Sequence, residues 1–585
     1  MASPRVPESA DTILFNGNVI TVDAQFTCKR AVAIAGGRVV ATGSDEEVRA
    51  LGAAHTKTID LQGRSVLPGF IDLHGHIGLF GFEKHFLQLD GARSIDEICS
   101  RIRERASATP DDLPIVTTPV GDHPYFFGVP DILAEGRFPN RWELDRAAPN
   151  HPVYITAPTN RVPNAAVFNS RALALAGIGK ETIPHGPPNR VRMTREAYWL
   201  DGIEVVRDPS TGEPTGELRS MQPIYNPSSY FEAITSFVPP PTYEFVREGI
   251  RLMAPDFLSW GTTTLLENHL TVPEDFRAYA ELDLPLRIFY SFELDPAKTV
   301  QETEDFLRTI GFATGNGFGT DHVATVGVSL GLDGPHWHGT AYTGEPYIGP
   351  YGDEVNPEPL VEAQQYKQLL AAAARQGFRI HTEAAGRGSI ALALETLAEI
   401  DREVPLADRR TILEHCEFPT REQIRECKRL GVIPTTTTNF LWGKGDEVFL
   451  DRLGPDYAEN AIPNRWWLDA GVDVCNETDW GPHEPMFTIW QSIARQTGLT
   501  GKVVGAHQSV TREEAIRMMT SHCARALFKE NDLGTIEPGK LADLVVLSGD
   551  PLTCAEHDIK DIGVLATIID GETVYEAEPL PVAMP

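Results

Sequence analysis

The sequence predicts an α/β protein: a (β/α)8 TIM barrel with a small β-sandwich domain built from both termini. Three observations support this fold class. Short strand-like runs joined by tight turns fill the first sixty residues, similar runs return near the end of the chain, and strand-like and helix-like stretches alternate between them. Such alternation is typical of a parallel sheet, and about eight strand–helix units close a barrel.

The candidate sandwich comes from the two ends of the chain. Asn16-Gly17 and Gly36-Gly37 each separate two short apolar runs, which is the pattern of a β-hairpin. Further strand-like runs lie between residues 544 and 575. Because these runs do not continue the alternation of the middle, we predict one β-sandwich assembled from residues 1–66 and 541–585.

The candidate barrel covers residues 67–540. Stretches such as 359–376, 389–400 and 420–430 carry apolar residues at helical spacing and follow strand-like runs. Residues 77–250 do not fit this alternation, since they are rich in proline, asparagine and charge, and we predict a long insertion after the first strand. The candidate strands beyond the insertion are 262–266, 286–290, 323–326, 378–380, 410–413 and 472–474.

Charge and cysteine content narrow the class of partner. A net charge of −31 argues against binding to nucleic acid or anionic membranes, because both attract Lys and Arg. Seven cysteines without a CxxC pair suit a reducing compartment, and no apolar run of about 18 residues predicts a membrane span. We therefore expect a cytoplasmic protein with a small-molecule substrate, and a homodimer is expected only because dimers are common among enzymes.

The strongest chemical signal is a pair of histidines after the first candidate strand. The apolar run that begins at Val66 ends in His74 and His76. Side chains two residues apart on a strand point the same way, so both imidazoles face one point. Two imidazoles at the end of a buried strand form half of a transition-metal site.

Metal-capable side chains also follow the other candidate strands. Active-site groups of a (β/α)8 barrel lie at the carboxyl ends of its strands. A single histidine at such a place is more often a capping residue, but the joint pattern predicts a site. The side chains are His74, His76, Glu267, His269, Glu293, Asp333, His381, Glu383, Glu414, His415 and Asp479.

Motifs along the whole chain resemble the amidohydrolase superfamily, in particular the family 3 branch that includes N-substituted formamide deformylases. They are LPGFIDLHGH at 67–76, VFNSRAL at 167–173, GEPTG at 212–216, ILEH at 412–415, ETDWGP at 477–482 and GTIEPGKLADLV at 534–545. The resemblance implies a barrel with a terminal sandwich, a divalent metal and hydrolysis at a carbonyl or related carbon.

The resemblance also implies roles for individual residues. His74 and His76 match the metal ligands of the first strand. His415 matches the strand-six histidine, which binds the metal or polarises the carbonyl, and Asp479 matches the strand-eight aspartate, a ligand and proton carrier. A metal held in this way would activate a water, and Asp479 would pass that water's proton to the leaving nitrogen.

Two positions depart from the family pattern. Ser329 stands where the branch usually carries a strand-four lysine, which in carboxylated form bridges two metals. On strand five, Glu383 occupies the position expected for a histidine, and His381 lies two residues deeper on the same face. Either can be the fifth-strand ligand. We predict one metal per chain, with zinc expected and iron or manganese as alternatives, because N and O ligands accept all three.

Candidate substrate-binding residues lie in the loops beyond the strands, although core packing is an equal alternative for the aromatic ones. They are Glu267, His336, Trp337, His338, Trp442 and Trp480. The predicted function is metal-dependent hydrolysis of a C–N bond in a small apolar or aromatic amide, formamide or cyclic amide. The alternatives are a non-hydrolytic or C–C-cleaving enzyme on the same scaffold and a non-catalytic binding protein.

Overall fold

Eight parallel strands form a nearly closed barrel at the centre of the molecule. The computed structural model describes residues 9–182, 203–219, 234–268 and 273–582, with the backbone of 191–192 and 199–200. Each barrel strand pairs with the next in chain order, which confirms the predicted barrel. The strands are β1 Phe70–Asp72, β2 Thr262–Glu267, β3 Arg287–Glu293, β4 Val323–Gly331, β5 Ile380–Ala384, β6 Ile412–His415, β7 Ile433–Thr436 and β8 Cys475–Asn476.

The first and last strands meet through the residues that follow them. The Asp479 amide donates to the His74 carbonyl at 3.0 Å. The Thr478 amide donates to Asp72 Oδ1 at 3.1 Å. These bonds bring the segment after β8 against the segment after β1, at the carboxyl end of the barrel.

Amphipathic helices cover the outside of the barrel. The helix Arg421–Leu430 is representative: the Thr420 and Gln423 side chains cap its first turn reciprocally, and Gly431 ends it in the left-handed conformation. Apart from the three helices between residues 95 and 175, the helices from β1 onward are Ile77–Glu83, Tyr243–Ser259, Pro273–Glu281, Val300–Thr309, Ala363–Arg375, Arg387–Asp401, Arg421–Leu430, Phe440–Lys444, Pro455–Glu459, Asn464–Asp469, Pro485–Ala494, Arg512–Met518 and Ser521–Ala526.

Strands from both ends of the chain form two sheets beside the barrel. Residues of both sheets, including Leu14, Val32, Leu544 and Ile568, share one apolar cluster. The four-stranded sheet has the order Arg38–Gly43, Ala31–Ala35, Thr12–Phe15 and Lys57–Asp60, and the six-stranded sheet has the order Glu572–Glu576, Val564–Ile569, Leu544–Leu547, Ser65–Pro68, Asn18–Ile20 and Cys28–Lys29. The domain limits 1–66, 67–540 and 541–585 stay a prediction.

The chain between β1 and β2 forms a folded unit rather than an irregular loop. Its described part contains the helices Ile95–Ala108, Arg141–Ala147 and Ser170–Leu175 and a five-stranded sheet with an apolar core. The sheet order is Glu204–Arg207, Pro214–Arg219, Ala165–Phe168, Val153–Ile155 and Ile115–Thr117. The predicted insertion, 77–250, also includes stretches outside the described residues.

The insertion packs onto loops at the carboxyl end of the barrel. The Tyr125 hydroxyl donates to the Asn439 carbonyl at 3.2 Å. His338 Nε2 lies 2.8 Å from the Thr159 carbonyl oxygen. The Arg452 guanidinium donates to the Val162 carbonyl at 3.0 Å. The insertion therefore covers the end of the barrel at which the candidate ligands lie.

No helix in the described ranges combines the length and apolar character needed to cross a bilayer.

A buried ion-pair network ties the opposite end of the barrel to the C-terminal strands. Arg287, at the start of β3, is 1% exposed, and its guanidinium nitrogens lie 2.6 and 2.9 Å from the two Asp543 carboxylate oxygens. Its Nη2 also donates to Asp570 Oδ1 at 2.6 Å. Removing one partner of a buried pair leaves the other charge uncompensated in a low-dielectric interior.

We expect Arg287→Met to lower the free energy of unfolding by about 3–5 kcal/mol, because Asp543 then remains buried without its cation. Denaturant unfolding followed by tryptophan fluorescence measures the change. Arg251→Met is the matched control, since Arg251 pairs with Glu248 in solvent and should cost less than about 1 kcal/mol. Equal effects of the two substitutions would contradict the importance of the buried network.

Candidate metal and active site

The segment after β1 presents two imidazoles to one point. The His74 amide donates to Asp72 Oδ1 at 3.2 Å, which fixes the backbone as it leaves the strand. His74 Nε2 and His76 Nε2 then lie only 3.1 Å apart. The following helix starts at Ile77, and Glu267 of β2 accepts a hydrogen bond from its Gly78 amide at 3.2 Å. The two nitrogens thus converge at the barrel mouth.

His415 and Asp479 complete the same cluster from β6 and the segment after β8. Asp479 Oδ1 lies 3.1 Å from His76 Nε2 and 3.7 Å from His74 Nε2. His74, His415 and Asp479 each offer one ligand atom within 4.8 Å of the others. His415 and Asp479 have φ angles of +68° and +46°. Such conformations strain non-glycine residues and cluster at functional sites.

A second layer of carboxylates orients the histidines. His74 Nδ1 lies 3.3 Å from Glu414 Oε2, and His415 Nδ1 lies 3.0 Å from Glu477 Oε1. The Thr437 hydroxyl also donates to Glu477 Oε1 at 2.6 Å. Carboxylates commonly hold the far nitrogen of metal-binding histidines in this way. The sequence marked Glu414 only as a metal-capable side chain and Glu477 only as part of the ETDWGP motif, so the orienting role of both was not predicted.

The donor set fits a divalent cation. Among the described residues, the ion-pair partners of Glu414, Glu477 and Asp479 are all histidines. Burial would lower the pKa of His415, yet Glu383 and Glu477 raise it well above its usual value. Burial would raise the pKa of Asp479, but the imidazoles lower it. The excess of buried negative charge is what a bound divalent cation would neutralise.

On β5 the structure brings Glu383, rather than His381, to the cluster. Glu383 Oε1 lies 3.4 Å from His415 Nε2, and Glu383 pairs in register with Glu414 of β6. His381 lies one strand repeat deeper, opposite Ser329 of β4. Burial holds the pKa of His381 well below its usual value, so it stays neutral there. The geometry therefore favours Glu383 over His381 as a fifth ligand.

The candidate substrate-binding residues His336, Trp337 and His338 form one short turn after β4, and each makes a different contact. His336 is 0% exposed, and its Nδ1 lies 2.7 Å from Glu417 Oε2. Trp337 is almost buried, and its ring packs at 5.2 Å from Phe440. His338 contacts the insertion through Thr159. Of the three residues, Trp337 and His338 keep a small accessible surface, whereas His336 has none.

The remaining predicted substrate residues lie around the mouth. Trp480 packs between His76 and Phe80, with ring centroids 5.9 and 5.1 Å away. Trp442 packs against aromatic residues of the helix Pro485–Ala494. Burial raises the pKa of Glu267 to about 8, and its carboxylate holds the turn after His76. His269 lies outside the described residues.

Aromatic side chains wall the space next to the cluster. The Phe440 ring lies 5.9 Å from the His415 ring. Tyr125, Trp337 and Phe440 belong to one apolar cluster formed by the insertion and the β4, β6 and β7 loops. Apolar walls with a few convergent polar groups are typical of small-molecule sites.

We expect Glu477→Gln to weaken divalent-metal binding by about 10- to 100-fold, because the amide is a poorer acceptor for the His415 Nδ1 proton. Competition with a chromophoric chelator measures the affinity. Glu403→Gln is a matched control, since Glu403 is 61% exposed and pairs only with Arg375 among the described residues. Unchanged affinity in Glu477→Gln would refute the orienting role.

Comparison with known proteins places this geometry in context. A sequence profile described as "Amidohydrolase family" matches residues 57–575. N-substituted formamide deformylase from Arthrobacter pascens is 27% identical over 97% of this chain and 98% of its own length. An uncharacterized metal-dependent hydrolase from Pyrococcus furiosus superposes with a TM-score of 0.67 at 21% identity, covering 93% of this chain and 100% of that chain. A similar hydrolase from Pyrococcus horikoshii OT3 gives a TM-score of 0.67 at 21% identity, covering 93% and 99%.

Proposed function

Because this chain belongs to the amidohydrolase family, we propose that it hydrolyses the C–N bond of a small formamide, amide or cyclic amide with an apolar or aromatic substituent. Membership of the amidohydrolase family and the similarity to N-substituted formamide deformylase indicate a metal-dependent hydrolase acting on C–N bonds. The observation that carries the proposal is the convergence of His74, His76, His415 and Asp479 on one buried point.

These four residues would hold one divalent metal, with Glu383 completing the shell. A bound divalent cation supplies Lewis-acid activation of water and of a carbonyl oxygen. Ser329 cannot provide the bridging group that a metal pair requires in this branch, so we propose a single metal. Zinc suits a set of imidazole and carboxylate ligands, although iron and manganese accept the same set.

Asp479 is the proposed proton carrier. Its Oδ1 lies at the centre of the imidazole cluster, and its lowered pKa keeps it ionised. It accepts a proton from the water whose oxygen bonds to the carbonyl carbon, and it returns that proton to the departing nitrogen. The C–N bond then breaks, and the acid and a neutral amine are released. His415 is placed to bind the metal or to polarise the carbonyl oxygen, as its Nε2 faces the cluster from β6.

The aromatic side chains around the cluster favour a substrate with an apolar or aromatic substituent. Trp337, Phe440 and Trp480 flank the cluster, and the insertion covers it through Tyr125. A formamide is the first choice within the proposed class, because its small acyl group needs little room beside buried ligands. The departing amine would carry the aromatic group.

A panel of three substrates tests this function. Purified protein loaded with zinc is incubated with N-benzylformamide, N-benzylacetamide and a phenyl-substituted hydantoin, and amine and acid are quantified. We expect N-benzylformamide to release benzylamine and formate in equal amounts. Release of a carbon fragment without an amine, or no turnover of any of the three by metal-loaded protein, would contradict the proposal.

A further inference from the structure

A fully buried ion pair lies behind the wall of the site. Lys444 Nζ contacts Glu417 Oε1 at 2.7 Å, and Glu417 Oε2 contacts His336 Nδ1 at 2.7 Å. The three side chains are at most 1% exposed. We call Lys444, Glu417 and His336 the buried triad. The charged atoms of Lys444 and Glu417 have each other and His336 as their closest polar partners.

The triad is attached to a turn with two consecutive left-handed residues. His415 and Cys416 both adopt left-handed φ angles, +68° and +41°, and Glu417 follows them directly. Left-handed backbone at non-glycine residues persists only where the surroundings hold it. Here the Glu417 carbonyl accepts a hydrogen bond from the Ile462 amide at 2.6 Å, while its side chain is held by Lys444 and His336.

The triad also fixes the aromatic wall. The Lys444 ammonium lies 3.4 Å from the Phe440 ring centroid and 3.8 Å from the Trp337 centroid. A desolvated cation over two rings is attracted to both faces. Trp337 and His336 are neighbours in one short turn, and Phe440 and Lys444 lie in one helical turn, so the ion pair joins the β4, β6 and β7 loops.

We propose that Glu417, anchored by Lys444 and His336, is a positioning residue that holds the His415 turn in the conformation required for metal binding. This proposal rests on the proposed function, since it assumes that His415 is a ligand. Glu417 touches neither metal nor substrate. It acts on His415 through the two peptide units between them. Lys444 offsets the free-energy cost of burying the Glu417 carboxylate.

Two variants and one control test the triad. Glu417→Gln keeps the size of the side chain but removes the charge, and Lys444→Met leaves the Glu417 carboxylate uncompensated. Arg287→Met removes a buried cation at the opposite end of the barrel and controls for loss of stability alone. Zinc affinity is measured by competition with a chromophoric chelator, and cobalt-substituted protein is examined by its visible absorption spectrum.

Glu417→Gln is expected to weaken zinc binding at least tenfold and to change the cobalt spectrum, with kcat falling and KM nearly constant. Lys444→Met should also weaken zinc binding, change the cobalt spectrum and lower kcat. Unlike Glu417→Gln, it should raise KM for aromatic substrates, because the ammonium that holds the Phe440 and Trp337 rings is gone. Arg287→Met should lower Tm while zinc affinity and the cobalt spectrum stay unchanged.

The outcomes separate this proposal from the proposed function. If the unmodified protein binds zinc tightly and Glu417→Gln binds it within twofold with an unchanged cobalt spectrum, the positioning role is wrong. That result decides even if Lys444→Met does not fold, because Glu417→Gln keeps the shape of the side chain and leaves only Lys444, whose pKa is lowered by burial, without its counterion. Failure of the unmodified protein to bind zinc or cobalt would overturn the metal site itself, and the positioning role with it.

Discussion

Asp479→Asn is expected to lower turnover by about 10²- to 10⁴-fold while the fold and the metal content remain largely intact. Asparagine keeps the size of the side chain and one oxygen beside His76, where Asp479 Oδ1 lies at 3.1 Å. It cannot accept a proton from water, however, so the proton reaches the departing nitrogen only by slower routes. The loss should appear in kcat rather than in KM.

Initial rates, metal content and circular dichroism of Asp479→Asn measure this effect. Asp473→Asn is a matched control, because Asp473 lies six residues earlier, is 42% exposed and pairs with Arg525. The control should retain normal rates. A near-normal rate in Asp479→Asn itself would mean that another group moves the proton.

Removal of the metal by a chelator is expected to abolish turnover and to destabilise the protein. Three of the buried carboxylates in the site, Glu414, Glu477 and Asp479, have histidines as their only ion-pair partners among the described residues. Without a cation, their charge must be balanced by protons or left uncompensated. A ligand present at about 1,000 times its Kd stabilises the folded state by about 4 kcal/mol, so Tm should fall on removal.

Differential scanning fluorimetry and rates before and after chelation test this result. Adding back one equivalent of zinc should restore both Tm and activity, and adding magnesium should not, because magnesium prefers oxygen ligands. Full activity and an unchanged Tm in the metal-free protein would contradict a metal-dependent mechanism.

The strand-end histidines and Asp479 could be found from the sequence because each lies at a position defined by a short local pattern. His74 and His76 end an apolar run, and ILEH and ETDWGP mark the ends of β6 and β8. In a barrel, such positions meet at one end whatever their separation along the chain. The choice between Glu383 and His381 required side-chain geometry, since both face the barrel interior.

No strand was predicted at the position of β7, because its composition is polar. Ile433–Thr436 contains a proline and is followed by further threonines, so no apolar run marks it. The hydroxyls of Thr436 and Thr438 have long-range partners, the side chains of Asn464 and Asn476. A buried hydrogen-bond network of this kind gives no periodic signal.

The orienting role of Glu414 and Glu477, and the pairing of Glu417 with Lys444 and His336, were not predicted for a related reason. Glu417 and Lys444 are 27 residues apart in the chain, and a lone buried Glu or Lys looks like a surface residue in sequence. The sheet of the insertion was not predicted either. In it, Ala165–Phe168 pairs with both Val153–Ile155 and the distant Pro214–Arg219. Local patterns do not specify such pairings.

An anomalous-diffraction map from crystals of zinc-loaded protein, recorded on both sides of the zinc edge, shows directly which residues bind the metal and how many ions are present. We expect one peak per chain, within bonding distance of His74 Nε2, His76 Nε2, His415 Nε2 and an Asp479 oxygen, at about 2.0–2.2 Å. The absence of a zinc peak at this point, or a peak bound to other residues, would contradict a metal site built from these four residues.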